Sequence, residues 1–376
     1  MAERAIVIGG GLVGLVTCFE LVERGVQVTL VDPAPASGAT HHAGGMLAPV
    51  AEVQYRQEPL FPLMLRSAAL YPDLVGRVSA GTDLPTGYRT EGTLVVAADW
   101  ADAEHLSDLS AYQEFHGMTA ERLTVREARR LEPALSPRIA GAVHIPGDHQ
   151  VSPRLFAAAL LDVLEHRGVR FVREQVTHLD GADPCRAVHC ESTVLDASGT
   201  TVVLCNGLGA ASVTGWYTGD NPLQLRPVHG DILRVKVPAH LRPLLDRVIR
   251  AFVGDRPVYL IPRDDGTLGI GATVREDDRP VPRAGAVHDL LRDAIRLVPG
   301  VEECDLLEAT VGARPGTPDD LPYLGRVGAN LIVSTGYFRH GILLAALGAA
   351  VVADLATGAD TTDSELASCD PLRHHR

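Results

Sequence analysis

"AIVIGGGLVGLVTCFELVERGVQVTLVD" (residues 5–32) decides the fold. Ala5 to Ile8 is an unbroken apolar run, the pattern of a strand buried on both faces. Gly9, Gly11 and Gly14 then spell G-x-G-x-x-G. In such a turn the first glycine permits a tight reversal and the second lets the backbone approach a pyrophosphate. The third lets the helix pack on its strand. A helix starting there offers free N–H groups and the positive end of its dipole to an anion. Gly25 ends the helix, and a second strand closes at Asp32, where a carboxylate can accept the ribose hydroxyls of an adenosine. The complete strand–turn–helix–strand unit predicts a dinucleotide site holding Gly9, Gly11, Leu12, Val13, Gly14, Asp32 and Pro33. Asp32 disfavours a 2′-phosphate, which leaves NAD or FAD.

The rest of the composition narrows the class. A chain of 376 residues exceeds one small core and suits two domains. The 46% hydrophobic and 22% charged residues describe an ordinary globular protein rather than a disordered one. A net charge of −13 argues against a binder of nucleic-acid phosphates, which needs a basic face. No run reaches the roughly 18 apolar residues of a membrane span. The strand pattern begins at Ala5 without a cationic leader. Cys18, Cys185, Cys190, Cys205, Cys304 and Cys369 form no CxxC and no regular spacing. These features lead to the expectation of a reduced, cytoplasmic setting, with a homo-oligomeric assembly. No His/Cys/Asp cluster has metal-ligand spacing, so no metal is expected.

"SGATHHAGGMLAP" (37–49) separates the two cofactors. A nicotinamide enzyme would continue here with its next crossover helix. Small residues instead let the chain lie against a bulky ring system, which favours FAD. From this point the chain resembles the glycine oxidase branch of the FAD-dependent D-amino acid oxidase superfamily. The resemblance spans nearly the whole chain. It is carried by the N-terminal fingerprint, "AGGMLAP" (43–49), "PGDHQVSPRLFAAAL" (146–160), "RPVHGDILRV" (226–235), "VYLIPRDDGTLGIGAT" (258–273), "GARPGTPDDLPYLG" (312–325) and "TGYFRHGILLA" (335–345).

The middle of the chain predicts two interleaved domains. Residues 153–167 read as an amphipathic helix, with Pro153 in its first turn and Gly168 at its end. Residues 169–176 and 201–207 read as strands of the nucleotide-binding sheet. Residues 223–237 and 247–274 alternate apolar and polar and turn at Asp264-Asp265-Gly266, a hairpin signature, and 88–97 joins them. The expected architecture is α/β: a Rossmann-type FAD-binding domain (1–85, 145–215 and 305–376) and an α+β substrate domain on an antiparallel sheet (86–144 and 216–304). The stretch from 334 reads as the start of a long apolar helix.

The resemblance implies the site. Arginine is the planar, permanently charged fork that suits a carboxylate. Arg314 and Arg339, with the Tyr259 phenol, become the substrate-binding residues, and Met46 crowds the side-chain position. Ala39, Thr40, His41, His42, Gly44, Gly45, Met46, Val176, Asn206 and Gly207 would surround FAD. So would Tyr337, Phe338, Arg339, His340, Gly341, Ile342 and Leu343. Their helix N-terminus would face the flavin edge where negative charge develops on reduction. No acid–base residue is assigned, because a neutral amine can give up a hydride without one. The chain departs from the family pattern at His41-His42, His229 and His340. All three departures are expected around the flavin, which leaves the substrate open.

Two activities fit these residues. One is oxidation of glycine or a similar small amino acid to an imine and then glyoxylate and ammonia, with molecular oxygen becoming hydrogen peroxide. The other is a dehydrogenase or oxidase for D-amino acids or N-methyl amino acids.

Overall fold

The computed structural model describes residues 3–181, 183–254, 256–271, 273–277, 279–359 and 364–375. Two sheets organise it. The first has six strands in the order Tyr323–Arg326, Leu331–Thr335, Thr201–Leu204, Arg4–Ile8, Gln27–Val31 and Arg170–Val172. Five run parallel, and Tyr323–Arg326 closes one edge antiparallel. The helix Leu12–Glu23 makes the crossover between the strands of the fingerprint. It packs with Leu60–Ser79, Pro153–His166 and Ala345–Thr357 on one face of the sheet, where Leu15, Phe19, Phe156, Leu160 and Val352 are fully buried. A three-stranded sheet (Val176–Asp180, Ala187–Cys190 and Val194–Asp196) covers the other face through Leu179 and Val188. Strands enclosed on both sides are apolar, as Ala5–Ile8 and residues 202–204 are.

The second sheet has eight strands. Their order is Asp305–Gly316, Arg226–Lys236, Thr267–Gly271, Arg256–Pro262, Val248–Val253, Thr93–Ala97, Gly141–Ile145 and Glu121–Leu123. All neighbours are antiparallel except Val248–Val253 with Thr93–Ala97. Side chains alternate across a strand, so each has two characters. Ile249, Ala251, Val258, Leu260 and Ile270 face outward onto the helix Ala284–Leu297, through its Leu290, Ala294 and Leu297. The residues between them, Arg250, Tyr259 and Gly271, share the inner face and stand directly opposite one another on three adjacent strands.

Three expectations need correction. Residues 305–316 belong to the second sheet, not to the FAD-binding domain: they pair with Arg226–Lys236 from Arg226↔Gly316 to Lys236↔Asp305. Both faces of that strand are half-buried, so no alternation marks it. The last helix starts at Ala345 rather than at 337. A positive φ at Gly336 and Phe338 bends the chain into a single 3₁₀ turn, Phe338–His340, before the helix can form. The strand expected over 169–176 stops at Val172, because Glu174 leaves it to accept the Ser192 and Thr193 N–H groups.

Candidate active site

The glycine fingerprint shows why each glycine is there. A Cβ at Gly9 would lie 2.5 Å from the Asn206 Cα, and one at Gly14 would collide with the Gly9 carbonyl. A Cβ at Gly11 would approach nothing closer than the Thr40 hydroxyl at 3.4 Å, so this turn stays open on one side. Asp32 braces the turn: its carboxylate accepts the Gly10 N–H at 2.6 Å and the Ala34 N–H at 2.8 Å. Thr40 Oγ1 accepts the Leu12 N–H at 2.9 Å at the head of the helix.

From this turn a cavity of about 600 Å³ runs between the two sheets. Of the residues expected at the cofactor or the substrate, all line it except Gly9, Gly14, His41 and Val176. Gly9 and Gly14 act through the packing just described. His41 turns outward, but its carbonyl accepts hydrogen bonds from Arg154 and Arg234, each at 3.0 Å. Val176 points into the sheet core, and its neighbour Gln175 lines the cavity in its place. The expectation for His229 also fails: it is buried outside the cavity wall, although the next residue, Gly230, is part of it.

The segment 41–46 is gripped from the second sheet. Arg263 donates to the Gly44 carbonyl and, at 2.7 Å, to the Val151 carbonyl. His42 packs on Gly312, where a Cβ would come within 2.5 Å of the His42 Cβ. Its Nδ1 is buried without a hydrogen-bond partner among the described residues, as is Asn206 Oδ1. Burial, followed by His41, Arg234 and Arg154, lowers the His42 pKa, so the ring is neutral. Two orphaned polar atoms facing a long cavity, with a glycine turn left open at one end, fit a bound dinucleotide.

At the other end the inner face of the second sheet supplies the charges. The Arg314 guanidinium fills the space above Gly230, so closely that no Cβ fits there. Its Nη1 donates to the Thr273 carbonyl at 3.4 Å, and among the described residues no carboxylate pairs with it. The Tyr259 ring covers Gly271 in the same way and reaches Gly44, whose Cβ would lie 3.3 Å from it. Arg339 ion-pairs with Glu52 at 3.2 Å, and Arg250 pairs with the other oxygen of the same carboxylate. Of the two partners of Glu52, Arg250 is nearly sealed from solvent, while Arg339 is partly exposed. Burial lowers the pKa of Arg314 and of Arg339. It brings that of Arg250 down to about 9, with Arg339 adding to the effect. All three still carry their protons at neutral pH. His340 is pushed down to about 3 by burial and by Arg339 and Arg250, so it stays neutral.

Glu52 and Arg250 went unread in the sequence. An arginine inside the apolar run "VIRAFV" and the single acid in "LAPVAEV" were the available signals. The loop carrying Glu52 is itself tied down. Asp148 accepts the Val50 and Ala51 N–H groups at 3.3 and 3.2 Å, and Gln113 donates to the Val50 carbonyl at 2.9 Å.

The turn 341–344 completes the wall. Ser67 donates to the Leu343 carbonyl at 2.6 Å, and the Tyr71 hydroxyl donates to the Ile342 carbonyl. In a trans peptide the N–H points opposite to the C=O. The Leu343 N–H is therefore turned away from the helix Leu60–Ser79 and toward the cavity.

A parallel sheet with a glycine turn, an acid closing the second strand and a cationic cavity against a second sheet defines a dinucleotide-dependent oxidoreductase. The chain belongs to the family of FAD dependent oxidoreductases, whose model matches residues 4–355. FAD is accordingly its cofactor. The chain is 34% identical over 379 residues to a glycine oxidase of Geobacillus kaustophilus, covering 98% of this chain and 96% of that one. It is 31% identical over 357 residues to the bifunctional protein ThiO/ThiG of Trichormus variabilis, of which it spans 52%. Its fold superposes on the crystal structure of the Geobacillus kaustophilus glycine oxidase with a TM-score of 0.88, 32% identity and 99% coverage of both chains. No helix among the described residues is long and apolar enough to cross a membrane.

Proposed function

We propose that the protein oxidises glycine or a similarly small amino acid, releasing an imine that hydrolyses to glyoxylate and ammonia, with molecular oxygen as the acceptor. One observation carries this reading. Arg314, a buried guanidinium with no ion-paired carboxylate among the described residues, stands beside Tyr259 in the cavity that begins at the glycine fingerprint. A carboxylate supplies the missing counter-charge, and the Tyr259 hydroxyl adds a second donor.

FAD would lie against Gly11, Asp32, Asn206 and the segment 42–46, and when bound it supplies the two-electron acceptor for a hydride. The chain's own residues do the rest. Arg314 and Tyr259 fix the carboxylate and thereby the Cα–H direction, which is worth several kcal/mol as orientation alone. Glu52 holds Arg339 and Arg250 in place on the cavity wall. The Leu343 N–H, aimed inward by the hold of Tyr71 on the Ile342 carbonyl, would meet developing negative charge without reorganising. His340, with its pKa held down at about 3, is too weak a base to take a proton from an amine, and Glu52 is engaged by two arginines. The amine must enter unprotonated, and its own pKa governs the rate.

The test is an absorbance spectrum of the purified protein, then an anaerobic titration with glycine, sarcosine and D-alanine. The expected protein is yellow, and glycine or sarcosine bleaches it in a single phase. Aeration then yields peroxide. A colourless protein, or a flavin that none of the three reduces, overturns the reading.

A further inference from the structure

We infer that Arg263 sets the reduction potential of the bound cofactor, acting from behind the cavity wall through the Gly44–Gly45 peptide. This rests on FAD as the cofactor and not on which amine is oxidised.

The segment 41–46 is held by arginines through its carbonyls. Arg154 and Arg234 each donate to the His41 carbonyl at 3.0 Å. Arg263 donates to the Gly44 carbonyl, to the Val151 carbonyl at 2.7 Å and to the Gln150 side-chain oxygen at 3.0 Å. The Gly45 carbonyl accepts the Val151 N–H at 2.9 Å. In a trans peptide the N–H points opposite to the C=O. The Gly45 N–H is therefore turned away from Arg263. It meets no acceptor among the described residues, and Gly44 and Gly45 both line the cavity. The joint requires glycine: Gly45 has φ +85°, and a Cβ on it would lie 2.2 Å from the Val151 carbonyl. Neither glycine carries a side chain that could screen this peptide from what the cavity holds.

The charge behind the peptide is not cancelled by an ion pair. The acceptors of Arg263 among the described residues are the three neutral oxygens just named. The acids around it are engaged. Asp264 pairs with Arg89 at 2.9 Å, and Glu308 pairs with Arg154 at 2.9 Å and with Arg234. Asp265 accepts the Thr267 N–H at 2.8 Å and the Thr267 hydroxyl at 2.7 Å. Burial, then Arg234 and Arg89, brings the Arg263 pKa down to about 10 against the pull of Asp265 and Asp264. The guanidinium is thus charged at neutral pH. A cation on the carbonyl end polarises the amide and makes its N–H a stronger donor. Hydride transfer adds two electrons and one proton to the cofactor, a net charge of minus one. A fixed cation and a preoriented donor favour that more negative form.

The test is the midpoint potential of the holoenzyme, read from its visible spectrum against a reference dye with no substrate present. Arg263→Met should weaken the preference for reduced over oxidised FAD roughly tenfold, a fall of about 30 mV for a two-electron couple. Arg263→Gln keeps a donor for the Gly44 carbonyl but loses the charge, and should fall as far. Arg263→Lys should stay nearer the wild type. The flavin-to-protein absorbance ratio should stay at the wild-type level in the Gln and Lys variants. A wild-type potential in Arg263→Met, or equal potentials in the Gln and Lys variants, overturns the inference. Loss of FAD from all three variants gives Arg263 a structural part only and overturns it as well. No amine enters the titration, so the two readings fail separately. If glycine reduces the flavin while the potentials do not move, only this inference falls. If Arg263→Gln lowers the potential but no amine reduces the flavin, only the oxidase reading falls.

Discussion

The Arg314 guanidinium occupies the volume where a side chain on Gly230 would begin. The two residues lie on neighbouring strands, and the glycine is what lets the arginine lie down against the sheet.

Gly230→Ala should therefore act as a remote lesion of the carboxylate clamp. The added methyl displaces Arg314, and kcat/KM for glycine should fall roughly tenfold or more, about 1.4 kcal/mol. FAD content should stay at the wild-type level. Steady-state kinetics with a flavin-to-protein absorbance ratio checks both.

Removing the guanidinium altogether is more severe. Arg314→Ala should cost roughly 3–5 kcal/mol of substrate binding or transition-state stabilisation. Arg314→Lys should recover only part of this, since an ammonium cannot make a bidentate contact. Unchanged turnover of an amino acid by Arg314→Ala would refute the clamp.

Tyr259 is wedged over Gly271 with Gly44 close beside it, and Met46 lines the same wall. The space beside the substrate Cα is correspondingly small. D-Phenylalanine should be turned over more slowly than glycine, and a reversed order would place the protein among oxidases of larger D-amino acids.

Tyr71→Phe tests the turn at 341–344. The loss of one buried donor to the Ile342 carbonyl should cost about 1–3 kcal/mol of stability. It should also let the Leu343 N–H drift from its aim. The midpoint potential of the bound flavin should then fall, by about 30 mV for each 1.4 kcal/mol of lost stabilisation. A potentiometric titration reads this directly.

Asp148 gives the protein a pH signature. It is fully buried, and burial raises its pKa to about 7 despite the Val50 and Ala51 N–H groups it accepts. An acid with a raised folded pKa contributes stability that is intact below its unfolded value. That stability is lost as pH rises through the folded one. Relative to Asp148→Asn, the wild type should lose thermal stability between about pH 4 and pH 7 and level off above. Parallel melting curves across that range provide the check.

The N-terminal unit was legible almost residue for residue, since Leu12–Glu23 and Gln27–Val31 follow the expected boundaries. A turn and its flanking periodicities are local properties that a linear pattern can carry. That Arg314 and Tyr259 would share one cavity wall was legible through the resemblance, because their motifs are compact. What escaped reading was non-local. Glu52 meets Arg250 and Arg339 across 198 and 287 positions of chain, and no periodicity encodes such a meeting. The sheet to which Asp305–Gly316 belongs escaped because the strand's small residues, among them the Gly312 that His42 packs on, erase the alternation that would have marked it as part of the antiparallel sheet. The late start of the last helix escaped because Phe338 adopts a positive φ that propensity argues against.

The strand order of the parallel sheet also sets a timetable for synthesis. Arg4–Ile8 emerges first, yet one of its neighbours is Thr201–Leu204, and the next strand outward is Leu331–Thr335. The parallel sheet therefore cannot close until Leu331–Thr335 has been synthesised. Until Thr201–Leu204 has been made, Ala5–Ile8 carries an unpaired edge of four apolar residues. Such an edge invites association with other nascent chains, so expression yield should depend on how quickly the stretch between Val31 and Thr201 is completed.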